Sequence, residues 1–362
     1  WHGDSMLMLD VDSPRSLRAG TTTEIGIHLA HYGAAPIASG RLDYTFAGQA
    51  GIIEHPEIAP GSLVDLGRIP LIAPAVDTPR ELTLSAALYD RAFPVRNSWR
   101  FWVFPEPPAA GDTNVLVADA MSIGLFDRLR NGASVLVLPG DGPGSFVRRS
   151  HWFLRGSVWF PPGVLLLDAP PELFIDLAVK DLHPTGLLHL GALGPHVDPI
   201  VGFWDTHDNP TVDDFAMAFE TRVGAGRLLV SAFPHDGSAA SDWLTARFRR
   251  HLIDDPAPAA FLPDDVVQAI LDRITGRTLD LVELEWQFRP DDAEVDRFVP
   301  IHVGQSWEGQ GFPNLDGWAT YRLAVDIPRE WGGEPLYANF EGVDDAYEVY
   351  LDGTQRGSGG DI

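Results

Sequence analysis

Apolar and polar residues alternate with a period of two in short runs over residues 15–105, and this pattern favours strands with one buried and one wet face. Across 23–32, Ile25, Ile27 and Leu29 alternate with Glu24, Gly26 and His28; across 81–90, Leu82, Leu84, Ala86 and Leu88 alternate with Thr83, Ser85 and Ala87. Trp99, Phe101 and Val103 then share one face, and Arg100, Trp102 and Phe104 the other. Clusters of Gly, Pro and Asp separate the runs. The pattern predicts an antiparallel, immunoglobulin-like β-sandwich over 15–105, without a disulfide because the chain has no cysteine.

Residues 105–113 (PEPPAAGDT) read as a stiff proline-rich linker. Beyond it the pattern changes. VLVADA and residues 133–138 are short apolar strands, separated by a helix that Ser122 caps and Asn131-Gly132 stops. RLLVSAF (227–233) is a further apolar strand, and Ser241 opens a helix with Leu244, Phe248 and Leu252 on one face. Arg247, Arg249, Arg250 and His251 suit the negative end of that helix. Residues 114–255 are therefore expected to form a small α/β domain on a parallel sheet. Residues 145–210, aromatic and proline-rich, resist assignment. A second linker, 254–260, precedes a short helix from Pro263-Asp264-Asp265 to about Ile274. Strands resume near Leu279, and from Val299 they are short and evenly punctuated. They predict the first half of a further β-sandwich over 264–362. With Trp1 in place of an initiator methionine, this leads us to expect a piece of a larger protein.

A net charge of −25 repels phosphate backbones and anionic lipid, so neither nucleic acid nor membrane is an expected partner. Without cysteine there is no thiolate metal site and no cysteine nucleophile. No run reaches the roughly 18 apolar residues of a membrane helix, and the N-terminal residues lack a basic signal-peptide region. Compartment is left open.

Asp205, His207 and Asp208, in Trp204-Asp205-Thr206-His207-Asp208, are oxygen and imidazole donors for a metal, or simply a solvated loop. Gly3-Asp4-Ser5 has the composition of an esterase nucleophile block but lacks a preceding strand and a later Asp-x-x-His. Gly140-Asp141-Gly142-Pro143-Gly144 follows a strand, yet Pro143 removes an amide a phosphate would need, so it reads as a turn. Ser231 lies within a strand with no G-x-S-x-G around it, which leaves the α/β domain without a nucleophile. Eleven tryptophans raise carbohydrate stacking as a function, although sandwiches also bury tryptophan in their cores. Trp307, Trp318 and Trp331 fall in the last domain, and Asp344 and Asp345 precede its final strand, where short acids can accept hydrogen bonds from sugar hydroxyls.

Four spaced elements occur in order in that last domain. They are Val303-Gly304, then Trp307-Glu308-x-Gln310-Gly311-Phe312, then Gly317-Trp318-x-x-Tyr321-Arg322, and finally Phe340-Glu341-Gly342-Val343-Asp344-Asp345-Ala346-x-x-Val349-x-Leu351-Asp352-Gly353. Together they resemble the sugar-binding, galactose-binding-like jelly roll of family 2 glycoside hydrolases, the β-galactosidase, β-glucuronidase and β-mannosidase group. The resemblance implies an immunoglobulin-like sandwich at 15–105 and a degenerate amidotransferase-like domain at 114–255. It also implies a loop carrying Asp344 and Asp345 near the mouth of the catalytic barrel. That family's two catalytic carboxylates sit on a (β/α)8 barrel of roughly 250 residues. The only α/β segment here is much shorter, and the Asn-Glu dipeptide that marks the family's acid/base is absent. No catalytic residue and no cofactor is carried over. The expected partners are carbohydrate and the remainder of a bacterial parent glycosidase. A complete hydrolase with its site in the α/β domain, or a scaffold that binds no sugar, remain the alternatives.

Overall fold

The structure, a computed structural model, describes residues 3–89, 94–107, 114–138, 147–149, 156–161, 169–176, 179–184, 186–205, 213–275, 279, 281–282, 284–291, 297–303, 305–315, 317–332, 336, 338 and 346–360. The fold is β-rich, with several sheets and three helices among these residues. It divides into two compact units, Trp1–Ile274 and Thr275–Ile362.

The first unit opens with eight strands: β1 (Ser5–Leu9), β2 (Ser16–Arg18), β3 (Thr22–His31), β4 (Gly40–Phe46), β5 (Gln49–His55), β6 (Ser62–Ile72), β7 (Arg80–Tyr89) and β8 (Pro94–Phe104). They form two sheets, β1-β3-β6 and β2-β8-β7-β4-β5. The alternation seen in sequence has its expected result. Ile25, Ile27 and Leu29 of β3 and Leu84, Ala86 and Leu88 of β7 point into one core with Leu42, Phe46, Phe101 and Val103. All pairings are antiparallel except that of β2 with β8.

Next come β9 (Val115–Ala118), α1 (Ile123–Arg130), β10 (Ser134–Val137), β11 (Val147–Arg149), β12 (Gly156–Trp159), β13 (Gly186–His189), β14 (Asp198–Asp205), β15 (Asp213–Val223), β16 (Gly226–Ser231), α2 (Ala239–Asp254) and α3 (Asp264–Thr275). The sheet runs β11-β13-β15-β16-β10-β9, with β14 on β15 and β12 on β14. Only β9, β10 and β16 are parallel, as the helix-separated apolar runs predict. The other strands are antiparallel, so the sheet is mixed where the sequence suggests a parallel one. One physical reason is the turn at Gly224, which has φ +58 and joins Val223 directly to its partner Gly226. A link that short reverses the chain and leaves no length for a parallel crossover.

Both faces of this sheet are covered. Leu136 and Leu229 face a core with Leu244, Phe248 and Leu252 of α2, the helical face expected from sequence. Val135, Val137 and Leu228 face Phe126 and Leu129 of α1 and Val267, Ile270 and Leu271 of α3. Helix α3 thus packs with the α/β region through Val267, Ile270 and Leu271. Ser122 accepts from Leu125 N as the cap of α1, as expected. Helix α2 begins earlier than expected: its cap is Ser238, and the Ser241 hydroxyl instead donates to Asp236 at 2.9 Å.

Strand β8 joins the two halves of this unit. Phe101 and Val103 lie in the sandwich core, while Trp102 and Phe104, on its other face, lie in the core of the α/β region beside Phe174 and Trp243. The proline-rich segment after β8 thus follows a packed junction.

The second unit contains β17 (Trp286–Pro290), β18 (Val299–Ile301) and β19 (Ala319–Arg322) in the order β18-β17-β19, and a hairpin of β20 (Ala346–Leu351) with β21 (Thr354–Gly360). Asp352 (φ 49) and Gly353 (φ 78) make the two-residue turn expected of Asp-Gly between strands.

Candidate functional site

The second unit is organised around Phe288, which is fully buried on β17. Its ring meets Trp307 at 5.7 Å, Phe312 at 4.9 Å and Tyr321 at 5.0 Å between centroids. Trp307, one of the sequence-predicted sugar contacts, is half-buried and starts the short helical turn Glu308–Gln310. The Gln310 amide closes this loop: its Oε1 accepts from His302 N at 2.8 Å, and its Nε2 donates to His302 O at 2.9 Å and Gln305 O at 3.3 Å. Trp318 is 44% exposed on the strand-side approach to β19, and the Arg289 and Arg322 guanidinium groups lie over the Phe298 ring at 5.1 and 5.8 Å. Burial raises the pKa of the Tyr321 hydroxyl. The result is one aromatic cluster of Phe288, Trp307, Phe312 and Tyr321, with Trp286 against Tyr321. The Arg289–Arg322–Phe298 arrangement was missed in sequence because it joins residues on three segments.

The other candidates are placed less fully. Asp344 and Asp345 lie outside the described residues, as do His207 and Asp208. Asp205 closes β14, its backbone paired with Gly156 and Asp213. Among the described residues no group of three His, Asp or Glu side chains is arranged to hold a metal.

Ser5 has a histidine partner. Its hydroxyl lies 2.7 Å from Nδ1 of His31, whose Nε2–H donates to Ala35 O at 2.9 Å. The carbonyl can only accept, so the neutral ring presents an unprotonated Nδ1 to Ser5. Ser5 and His31 are direct cross-strand partners of β1 and β3, and His31 is 3% exposed. Sheet register alone brings them together, and the pair pins β1 to β3. Ser231 is buried, with its hydroxyl accepting from Phe233 N.

Two polar clusters lie inside the first unit. One lines the junction between sandwich and α/β region. Asp176 accepts from Trp102 Nε1 at 3.1 Å and from Arg100 at 3.2 Å, Arg18 pairs with Asp242 at 2.5 Å, and the Ser16 hydroxyl donates to Asp181. Burial lowers the pKa of Arg15 there, with the Asp176 carboxylate opposing the shift. The other joins β15, β16 and the end of α2. His251 Nε2 meets Glu220 at 2.8 Å and its Nδ1 meets Asp255 at 2.7 Å, while Arg227 reaches Glu220 at 3.3 Å. The four-residue spacing of His251 and Asp255 was legible in sequence; Glu220, thirty-one residues away, was not.

A profile for a domain of unknown function, DUF8488, matches residues 21–105, from the start of β3 to the end of β8. No curated protein matches the chain. Among solved structures, the CARDB domain of the PF1109 protein from Pyrococcus furiosus, in complex with di-metal ions, is 13% identical with a TM-score of 0.22 and covers 28% of this chain and 88% of its own. The alkylpurine DNA glycosylase AlkC of Pseudomonas fluorescens, bound to DNA containing an abasic site analog, is 15% identical with a TM-score of 0.21 and covers 28% of this chain and 30% of its own. Scores this low support no statement about fold or activity.

Proposed function

We propose that the chain is a non-catalytic, carbohydrate-recognising part of a family 2-like glycoside hydrolase, comprising an immunoglobulin-like sandwich, a nucleophile-free amidotransferase-like region and a jelly-roll segment. The observation that carries this reading is the ordered set of four motif elements over 303–353. Its second element folds as one closed loop through Gln310 and Trp307. The half-exposed Trp318 supplies a stacking face, and Asp344 and Asp345 would supply acceptors for sugar hydroxyls. The β-glycosidic chemistry itself would come from a barrel carrying the paired carboxylates.

The test is binding of the purified chain to a glycan array, followed by titration of any hit, together with an assay on aryl glycosides. Saccharide binding that Trp318→Ala or Asp344→Ala weakens at least tenfold, without loss of stability, is the expected result. Hydrolysis of aryl glycosides by this chain would overturn the non-catalytic reading, and absence of any saccharide binding would favour a scaffold.

A further inference from the structure

The buried histidine at the end of α2 joins three elements and belongs to no part of the proposed carbohydrate site. His251 is 9% exposed, between Glu220 of β15 and Asp255, the residue capping the helix. Carboxylates only accept hydrogen bonds, so a neutral imidazole, with one N–H, can satisfy one of the two and turns a lone pair toward the other. Only the imidazolium donates to both.

The partners are unequal. Glu220, 14% exposed, keeps Arg227 as a second donor, whereas Asp255 is 38% exposed. When the proton leaves, Asp255 is the partner that can turn to water. Asp255 also begins a strap that crosses to α3. Its carbonyl accepts from Arg227 at 2.7 Å; further along, Ala259 O accepts from Arg222 at 3.1 Å, Ala260 N donates to Asp198 at 3.1 Å, and Leu262 N donates to Arg222 O at 2.9 Å.

We propose that His251 is a proton-operated latch whose imidazolium clamps Asp255 and Glu220 together, and whose deprotonation loosens the strap from Asp255 to Leu262. The charged groups facing it are Glu220 from β15, Arg227 from β16 and Asp255 from its own segment. The exposed Arg250–Asp254 pair and Arg247 stand on neighbouring turns of α2. Strand β10 contributes the uncharged Ser134, whose hydroxyl donates to Leu252 O. The charges of β2 and of the turn at 180–182 meet α2 at its other end, where Arg18 holds Asp242.

Burial lowers the His251 pKa, but the hydrogen bonds to Glu220 and Asp255 outweigh it and the net shift is upward. A raised folded-state pKa fixes the sign. The latch is fully formed below the ordinary imidazole value of about 6.5 and is lost as pH rises through the value for His251.

Hydrogen–deuterium exchange of the full chain, corrected for intrinsic rates, tests this at about pH 5.5 and about pH 8.5. Protection of 255–262 should fall about tenfold at the higher pH, the scale of one partly exposed charge-assisted hydrogen bond. His251→Gln should show the loosened strap at both values. Asp255→Asn, an exposed and milder change, should remove the pH dependence while the Glu220–Arg227 pair keeps the fold, which makes it decisive if His251→Gln does not fold. Strap protection independent of pH in the wild type, or wild-type pH dependence in Asp255→Asn, overturns the proposal.

Discussion

Removing the Asp176 carboxylate tests whether the sandwich and the α/β region are held by a specific contact or only by contact area. Trp102 is 3% exposed and its indole N–H has Asp176 as acceptor at 3.1 Å. Asp176→Ala leaves that N–H buried without its carboxylate, a loss of about 1–3 kcal/mol. The Arg100 arm is lost too, but Arg100 is 56% exposed, so screening holds that contribution to about 0.5 kcal/mol. Together these predict a destabilisation of about 1.5–3.5 kcal/mol. Trp102→Phe removes the donor and some apolar area, and in its presence Asp176→Ala should cost much less. A double-mutant cycle by urea denaturation isolates the difference, with an expected coupling of about 2 kcal/mol. A coupling below about 0.5 kcal/mol would refute the reasoning, since the side chains would then be acting independently. Because Trp102 and Phe104 lie in the α/β core, exchange in β7 and in β16 should report the same loss in one transition.

Gly226→Ala places a Cβ 2.3 Å from Leu129 O and 2.5 Å from Ala133 O, both backbone atoms, and should cost about 3 kcal/mol in urea. Ile270→Ala, at a position 6% exposed, should cost about 2–4 kcal/mol and speed exchange in α1, across the shared core, while leaving β20–β21 unchanged. Ser238→Ala should cost about 1 kcal/mol by freeing Ser241 N at the start of α2, read as a shift in thermal midpoint. Gly353→Val, at φ +78, should selectively raise exchange in β20 and β21, as a β-branched residue resists the left-handed region.

What was legible in the sequence was whatever depends on neighbours in the chain. The alternation of Leu84, Ala86 and Leu88, the cap at Ser122, the apolar face of α2 and the Asp352-Gly353 turn all follow from local periodicity and turn chemistry. The long-range polar contacts were not legible because their partners are distant: Trp102 and Asp176 are seventy-four residues apart. Strand β8 is the instructive case. Placing Trp102 and Phe104 on the outward face of a sandwich already implied an exposed aromatic stripe, which isolated sandwiches avoid. That stripe was the sequence signal for a second core. The mixed sheet was hidden for a different reason: residues 145–210, aromatic and proline-rich, carry little apolar periodicity of either kind.

The two-faced strand β8 limits how this protein can be inherited. The stretch that the DUF8488 family model matches, 21–105, excludes β1 and β2, yet β2 pairs with β8 and supplies Ser16 and Arg18 to the junction. A gene exchange cut at those bounds would carry Trp102 and Phe104 into a new neighbour with no matching hollow for them. The sandwich and its α/β companion should therefore descend together, and residues lining the Trp102 pocket should change in step with β8 even where the rest of the sandwich drifts.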